Sequence, residues 1–387
     1  MKIAIVCTLY PPYILGGAEK STALLASGLA SKGHNIYIIT TGSKEEKEIV
    51  NSITIYRLKN QNIYWRYPQR DKPILKKAIW HFIDIYNLRY KKSIEKILAE
   101  IKPDIVHTGN LCGLSCIIWN IASKMKIPIV HTLRDYYLIC PQQTMMKTYR
   151  SCKNQCTLCK SYSYLKKIMS QKVNAVVGIS NFILKHHLKF GYFNKAIYTC
   201  IIPNSVEKTS FIKGGTSHKN IGYIGRLSPE KGVELMIEAF KESYSKGTKL
   251  LIAGTGNQKY VEKLKQQYEN DNICFLGLCK STDFFSNIDL LIVPSLWNEP
   301  FGRVVIEAYN SHIPVFMANN GGLSELYVEG VSKLFTTDSP SSLTYLLNKY
   351  YNGDIQFDYN KFDEIISHYS EEKITLDYIN LYRRLCK

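Results

Sequence analysis

Short apolar runs, each released into a glycine-rich or polar loop and then a helical stretch, recur along this 387-residue chain. Ile3–Cys7, Ile36–Thr40, Ile53–Leu58, Ile105–Thr108, Ile129–Thr132 and Ala175–Ile179 read as strands, and Ala18–Lys32 and Ile117–Lys126 as helices between them. A second series starts at Ile221 and continues through Lys249–Ala253, Ile273–Leu276, Leu290–Val293 and Val315–Met317. Such alternation implies an α/β fold, a parallel sheet with helices on both faces. Between the two series, residues 194–220 carry Pro203, Gly214, Gly215 and several Ser and Lys residues. The junction is expected there, with domains over 1–200 and 201–387. A chain of this length gives each domain enough residues for its own core.

The charge is unevenly placed. Residues 1–200 hold 30 Lys and Arg against 10 Asp and Glu, whereas 201–387 hold 20 against 22. A basic first half suggests an anionic partner. No helix-turn-helix, zinc-finger or RNA-recognition signature accompanies it, so nucleic acid is not the expected partner. Residues 62–102 combine Trp65, Tyr67, Trp80, Phe82, Tyr86 and Tyr90 with Arg66, Arg70, Lys72, Lys76, Lys77, Arg89, Lys91 and Lys92. Ile74–Tyr90 could lie as an amphipathic helix on an anionic membrane surface. The alternative is that the aromatics enter the core and the lysines are solvated. No apolar run approaches the roughly 18 residues of a membrane span. The start at Met1 enters a strand directly and lacks the pattern of a secretory signal. A cytoplasmic location is expected, peripheral on the inner membrane face.

The segment Pro294-Ser-Leu-Trp-Asn-Glu299-Pro-Phe301-Gly302-Arg303-Val-Val-Ile-Glu307-Ala308 sets two glutamates eight positions apart around a Pro-Phe-Gly corner. Pro300 and Gly302 stop the preceding strand and let the backbone approach a ligand. A helix beginning at such a corner points free N–H groups outward, suited to phosphate or hydroxyl oxygens. Glu299 on the loop and Glu307 in the helix can each accept hydrogen bonds from vicinal hydroxyls. Further upstream, Asn220-Ile-Gly-Tyr-Ile-Gly-Arg226-Leu-Ser-Pro-Glu-Lys231-Gly232 reads as a strand, a turn and a helix start. Arg226 offers a two-pronged donor fork for phosphate and Lys231 a compact charge.

Together these segments resemble the signature of glycosyltransferase family 4, the retaining nucleotide-sugar enzymes. Gly321-Gly-Leu-Ser-Glu325, Ile201-Ile-Pro-Asn204-Ser-Val206, Leu250–Gly256 and Ile14-Leu-Gly-Gly17-Ala-Glu19 are similar to further family segments, in the expected order. The resemblance implies the GT-B fold, two Rossmann-like domains facing across a cleft, with the last helix (369–386) returning to the first domain. It implies an acceptor-binding first domain and a donor-binding second domain. Glu299 would contact the transferred sugar and Glu307 the nucleotide ribose. Arg226 and Lys231 would hold the diphosphate of a UDP- or GDP-sugar, with Phe301, Gly302 and Arg303 lining the donor and Gly17 beside its phosphate. A glycan or lipid-linked acceptor of surface polysaccharide synthesis would receive the sugar. No Asp-x-Asp occurs, so no metal or other cofactor is expected to be required for catalysis. The rival readings are a nucleotide-sugar epimerase or soluble sugar synthase, and a non-catalytic protein that keeps the nucleotide site.

One position departs from the family. Where members often carry Thr-x-His-Asp, this chain has His131-Thr-Leu-Arg134-Asp135. An arginine, with a pKa above about 12, cannot serve as a neutral base. Arg134 is therefore expected to act electrostatically, with Asp135 beside it in the catalytic region. His107 and His131 are read as either site or core histidines. Of the 11 cysteines, Cys140, Cys152, Cys156 and Cys159 cluster at a spacing that suits a closed structural zinc site or a set of free thiols.

Overall fold

The computed structural model describes residues 1–68, 72–147, 150–207, 220–243 and 247–386. Arg70 and residues 208–219 of the 194–220 junction lie outside them. Sixteen strands are described: β1 Lys2–Val6, β2 Asn35–Gly42, β3 Glu46–Val50, β4 Ile53–Lys59, β5 Ile105–Thr108, β6 Ile129–Leu133, β7 Met146–Lys147, β8 Arg150–Ser151, β9 Ala175–Gly178, β10 Tyr198–Ile201, β11 Ile221–Ile224, β12 Leu250–Ala253, β13 Ile273–Gly277, β14 Leu290–Val293, β15 Val315–Ala318 and β16 Ser332–Phe335. The helices are α1 Gly17–Ser31, α2 Ile74–Ile85, α3 Lys91–Ile101, α4 Ile117–Lys124, α5 Thr157–Ser170, α6 Asn181–Lys189, α7 Val233–Ser243, α8 Gln258–Tyr268, α9 Ser281–Phe285, α10 Arg303–Asn310, α11 Ser341–Asn352, α12 Lys361–Ser367 and α13 Glu371–Leu385.

The chain divides into two compact units. The first comprises residues 1–145 and 152–205 together with 371 to the C-terminus; the second comprises 146–151 and 206–370. The first unit holds a sheet of order β10-β9-β6-β5-β1-β2-β4-β3, and the second a sheet of order β13-β12-β11-β14-β15-β16. Every pairing in the second sheet is parallel, and in the first only β3–β4 is antiparallel. The central strands β1, β5, β6 and β9 are Ile- and Val-rich and buried on both faces, as a sheet covered by helices on each side requires.

The sequence reading passed over β3, and its composition explains why. Its Glu-Lys-Glu start reads as a polar loop, yet it forms an edge strand through the Asn51–Ser52 turn, where both residues have positive φ (48° and 65°). That is the backbone a two-residue hairpin demands. Charged side chains then protect the exposed edge: Arg57 on β4 holds Glu48 at 2.6 Å.

Helix α13 belongs to the first unit although it follows the second in sequence. It lies against α1, where a methyl on Gly28 would stand 2.2 Å from Thr375 Oγ1, so only glycine permits that approach. Its tyrosines reach the carboxyl ends of β5 and β6. Tyr382 Oη lies 2.6 Å from His107 Nδ1, His107 Nε2 lies 2.8 Å from Thr132 Oγ1, and Thr132 Oγ1 lies 2.9 Å from Tyr378 Oη. His107 and His131 are thus hydrogen-bonded core residues, the second through Thr108 at 2.8 Å.

Burial holds five histidines of the first unit neutral. Desolvation pushes His81 and His186 down to about 4, His107 and His187 to about 3, and His131 well below the usual range. Unfolding frees them to bind protons near pH 6.5, so the unfolded state gains protons first as pH falls. The carboxyls of buried Asp84 and of half-buried Glu19 and Asp135, all raised by desolvation, oppose this trend but are fewer. The thermal midpoint is expected to fall progressively from about pH 6.5 towards pH 4. A midpoint that stays level over that range in a scanning-fluorimetry pH series would contradict the assignment.

Candidate active site

In each sheet the strand order reverses at one point, between β1 and β5 in the first and between β11 and β14 in the second. Loops leaving the carboxyl ends of strands diverge at such a point and leave a crevice for ligands. The loops that follow β11 and β14 carry the two sequence motifs.

In the second unit, β11 ends at Ile224 and releases Gly225-Arg226-Leu227-Ser228 before a single tight turn, Pro229–Lys231. Gly232 ends that turn with φ 71°, and a Cβ there would meet the Pro294 carbonyl oxygen at 2.0 Å. Glycine therefore lets the β11 loop press onto the β14 loop. Leu296 N donates to Glu230 O at 2.9 Å and fixes the contact. Its result is a half-buried pair. Lys231 Nζ lies 2.5 Å from Glu299 Oε1, with the two side chains 23% and 12% exposed. Ser295 Oγ donates to the same oxygen at 2.7 Å, and the ammonium lies 5.2 Å from the centre of the Trp297 ring. Burial by itself would raise the Glu299 carboxyl. The Lys231 charge, with hydrogen bonds from Lys231, Ser295 and Trp297, outweighs it and holds the group below the usual carboxylate range.

The backbone of Glu299 is held from the far side. Its carbonyl accepts from Gly322 N at 2.6 Å, and Asn320 Nδ2 donates to Ser295 O at 2.8 Å. The Gly321–Leu326 turn after β15 thus props the β14 loop. Gly302, at φ 126°, opens α10, and a Cβ there would lie 2.4 Å from Leu323. One turn along, Arg303 Nε donates to Glu307 Oε1 at 2.7 Å. Phe301 is buried, its ring 6.1 Å from that of Tyr369, so its side chain supports the corner from inside the unit. Arg226 is exposed and, among the described residues, forms no ion pair. The hydroxyl of buried Tyr223 senses both Glu299 and Arg226, which places them around the same loop end.

Gly17, Arg134 and Asp135 belong to the first unit. Gly17 is the exposed first residue of α1, where Gly16 N donates to Glu19 Oε2 at 2.9 Å. Arg134 follows β6 and donates through Nη1 to Asn204 Oδ1. Asp135 is half-buried and accepts from Tyr137 N at 2.8 Å. Two residues absent from the sequence-based site join this group. Glu19 lies close enough to Arg134 to feel its charge, and Asn204 receives the guanidinium. Arginine, glutamate and asparagine from three separate segments meet at the carboxyl edge of the sheet, a convergence that no spacing in the sequence announces.

Among the described residues no group of three or more His, Cys, Asp or Glu is placed to hold a metal ion. Cys140 is buried, whereas Cys156 is exposed at the N-terminal end of α5. Cys159 hydrogen-bonds with both thiols and is raised, chiefly by burial. None of Cys140, Cys152, Cys156 and Cys159 is in a disulfide.

Comparison with known proteins agrees with this geometry. The family described as "Glycosyltransferase Family 4" matches residues 15–209, and "Glycosyl transferases group 1" matches residues 207–367. The chain therefore belongs to the family 4 glycosyltransferases and has the two Rossmann-like domains of the GT-B fold. A 42.6 kDa protein in the cps region of Klebsiella pneumoniae is 38% identical over 84% of this chain and 87% of its own length. Sucrose-phosphate synthase from Thermosynechococcus elongatus superposes with a TM-score of 0.77 at 18% identity, covering 99% of this chain and 98% of that one. Anabaena Alr3699/HepE, solved in complex with UDP, gives 0.73 at 17% identity, covering 99% and 100%.

The Lys231–Glu299 pair makes a stability prediction. Lys231→Met leaves Glu299 ionised and largely buried without its counter-charge, which is expected to cost roughly 1–3 kcal/mol. Lys231→Met combined with Glu299→Gln is expected to recover most of that loss. Urea denaturation of the wild type, Lys231→Met, Glu299→Gln and the double variant measures the coupling; additive losses would contradict the pairing.

Proposed function

We propose that this glycosyltransferase takes a hexose from a UDP- or GDP-sugar, keeps its anomeric configuration, and places it on a glycan or lipid-linked acceptor in surface polysaccharide synthesis. The observation that carries the donor half is the Lys231–Glu299 pair at the switch point of the second unit, with Arg226 beside it. Lys231 and Arg226 would neutralise the charge that grows on the leaving diphosphate. Glu299, ionised and fixed at its backbone, would accept hydrogen bonds from the sugar hydroxyls. Glu307, oriented by Arg303, would accept from the ribose. Arg134 stays protonated at neutral pH and cannot take a proton from the acceptor. Its role would be electrostatic, and the departing phosphate would take the acceptor's proton on the face it leaves.

Two findings support the wider reading. The Klebsiella relative lies in a cps region, and the Anabaena structure holds UDP. Among the described residues no helix is long and apolar enough to cross a membrane. A lipid-linked acceptor would then be met at a membrane surface, on the cytoplasmic side where nucleotide sugars are made, by the basic first half of the chain.

A thermal-shift screen with UDP, GDP and their sugars tests the donor site, since a ligand of the folded state raises its midpoint. One nucleoside diphosphate is expected to stabilise the wild type, and Lys231→Met to abolish the shift. Glu299→Gln is expected to keep the diphosphate shift and lose turnover by about 100-fold or more. Arg134→Ala is expected to behave likewise, and unchanged turnover would sink its catalytic role. Transfer is expected to survive a divalent-cation chelator. Donor hydrolysis or isomerisation without acceptor would replace this reading with an epimerase.

A further inference from the structure

We propose that α2 and α5 of the first unit form a docking face for an anionic lipid leaflet. The inference rests on the acceptor half of the proposed function and supplies the surface that half requires. Helix α2 carries Ile74 (86% exposed), Leu75 (71%), Ile79 (44%) and Phe82 (77%). At 100° per residue these positions and Ala78 share an arc of about 140°. The opposite arc holds buried Trp80 and Asp84. The apolar arc is therefore the one turned away from the protein, the reverse of the usual amphipathic arrangement. Exposed Lys76 and Lys77 flank it on either side.

Helix α5 repeats the pattern. Leu158 (72% exposed), Tyr164 and Ile168 are exposed, while Tyr162, Ser163, Lys166 and Ser170 are buried. Exposed Lys160 and Lys167 border this stripe. The two helices meet edge to face through His81 and Tyr162, whose rings lie 5.7 Å apart. Their contact joins the two helices at the border of the exposed arc of α2 and at the edge of the buried arc of α5 nearest Leu158. Singly exposed apolar residues are ordinary, but a contiguous patch of this kind marks a binding surface.

Charge chooses the occupant. Between Asp135 and Glu207 the chain contains no acidic residue, and the only one on α2 is the buried Asp84. A second copy of the chain would bring lysines against lysines. A folded acidic partner or a nucleic acid would satisfy the lysines but not the apolar arc between them. A leaflet with anionic headgroups over hydrocarbon satisfies both.

The test is co-sedimentation of the full chain with vesicles of phosphatidylglycerol and phosphatidylethanolamine, against vesicles of phosphatidylcholine alone. Binding to the anionic vesicles that weakens with added salt is expected. Leu75→Gln with Phe82→Gln leaves charge unchanged and is expected to cut vesicle affinity at least about tenfold. Lys76→Gln with Lys77→Gln is expected to flatten the salt dependence. All four side chains are exposed, so the variants should fold. The nucleoside diphosphate shift should remain in both and certify this. Equal binding by the apolar variant, no preference for anionic vesicles, or self-association that the apolar variant abolishes would each overturn the proposal. A wild type that binds vesicles but no nucleotide would instead overturn the donor reading and leave this face standing.

Discussion

A parallel strand cannot be joined to its neighbour by a tight turn, because the chain must first travel back along the sheet. Everything functional in this protein follows from that constraint. Each crossover spends a helix on the return, and the loops entering those helices collect at the carboxyl edge. Where the strand order reverses, between β11 and β14, the loops part. Arg226, Lys231 and Glu299 lie in loops over 60 residues apart in sequence, yet they meet at that edge.

Within the second unit, close backbone approach then does the fine positioning. Gly232 lets one loop sit on the other, and the Gly321–Leu326 turn fixes the Glu299 carbonyl. The Lys231–Glu299 pair is thereby partly desolvated and held by its surrounding loops. Charge fixed in this way would suit the proposed transfer, whose difficulty is the growing charge of a leaving group. The first unit is built differently. Its edge is stiffened by a neutral relay, Tyr382 to His107 to Thr132 to Tyr378, which ties α13 to β5 and β6. Its outer helices α2 and α5 carry the apolar and basic surface.

The central strands were legible because their Ile and Val runs are nearly uniform and end at glycine or polar residues. Strand β3 was not, since a charged edge strand has the composition of a loop and exists only through its pairing with β4. The Pro294–Ala308 motif was legible because proline and glycine fix backbone shape locally. Phe301 illustrates the limit of such reading: the motif names the residue, but only the fold shows its ring turned inward against Tyr369. The cysteine spacing likewise names four thiols, but only the fold shows Cys140 buried, Cys156 exposed and Cys159 hydrogen-bonded with both.

By itself the sequence determined two parallel α/β units, the family, and the identity of the charges at the switch point of the second unit. These depend on periodicity and on short segments whose geometry is set by neighbours in the chain. Tertiary structure alone decided that Glu19 and Asn204 stand with Arg134, and that the histidines are neutral core residues. It also decided that the apolar arc of α2 faces outward. A helical pattern fixes which residues share a face, but not whether that face meets the core or the solvent. That choice belongs to the elements packed against it, here Trp80 and Asp84 inward and Phe82 outward.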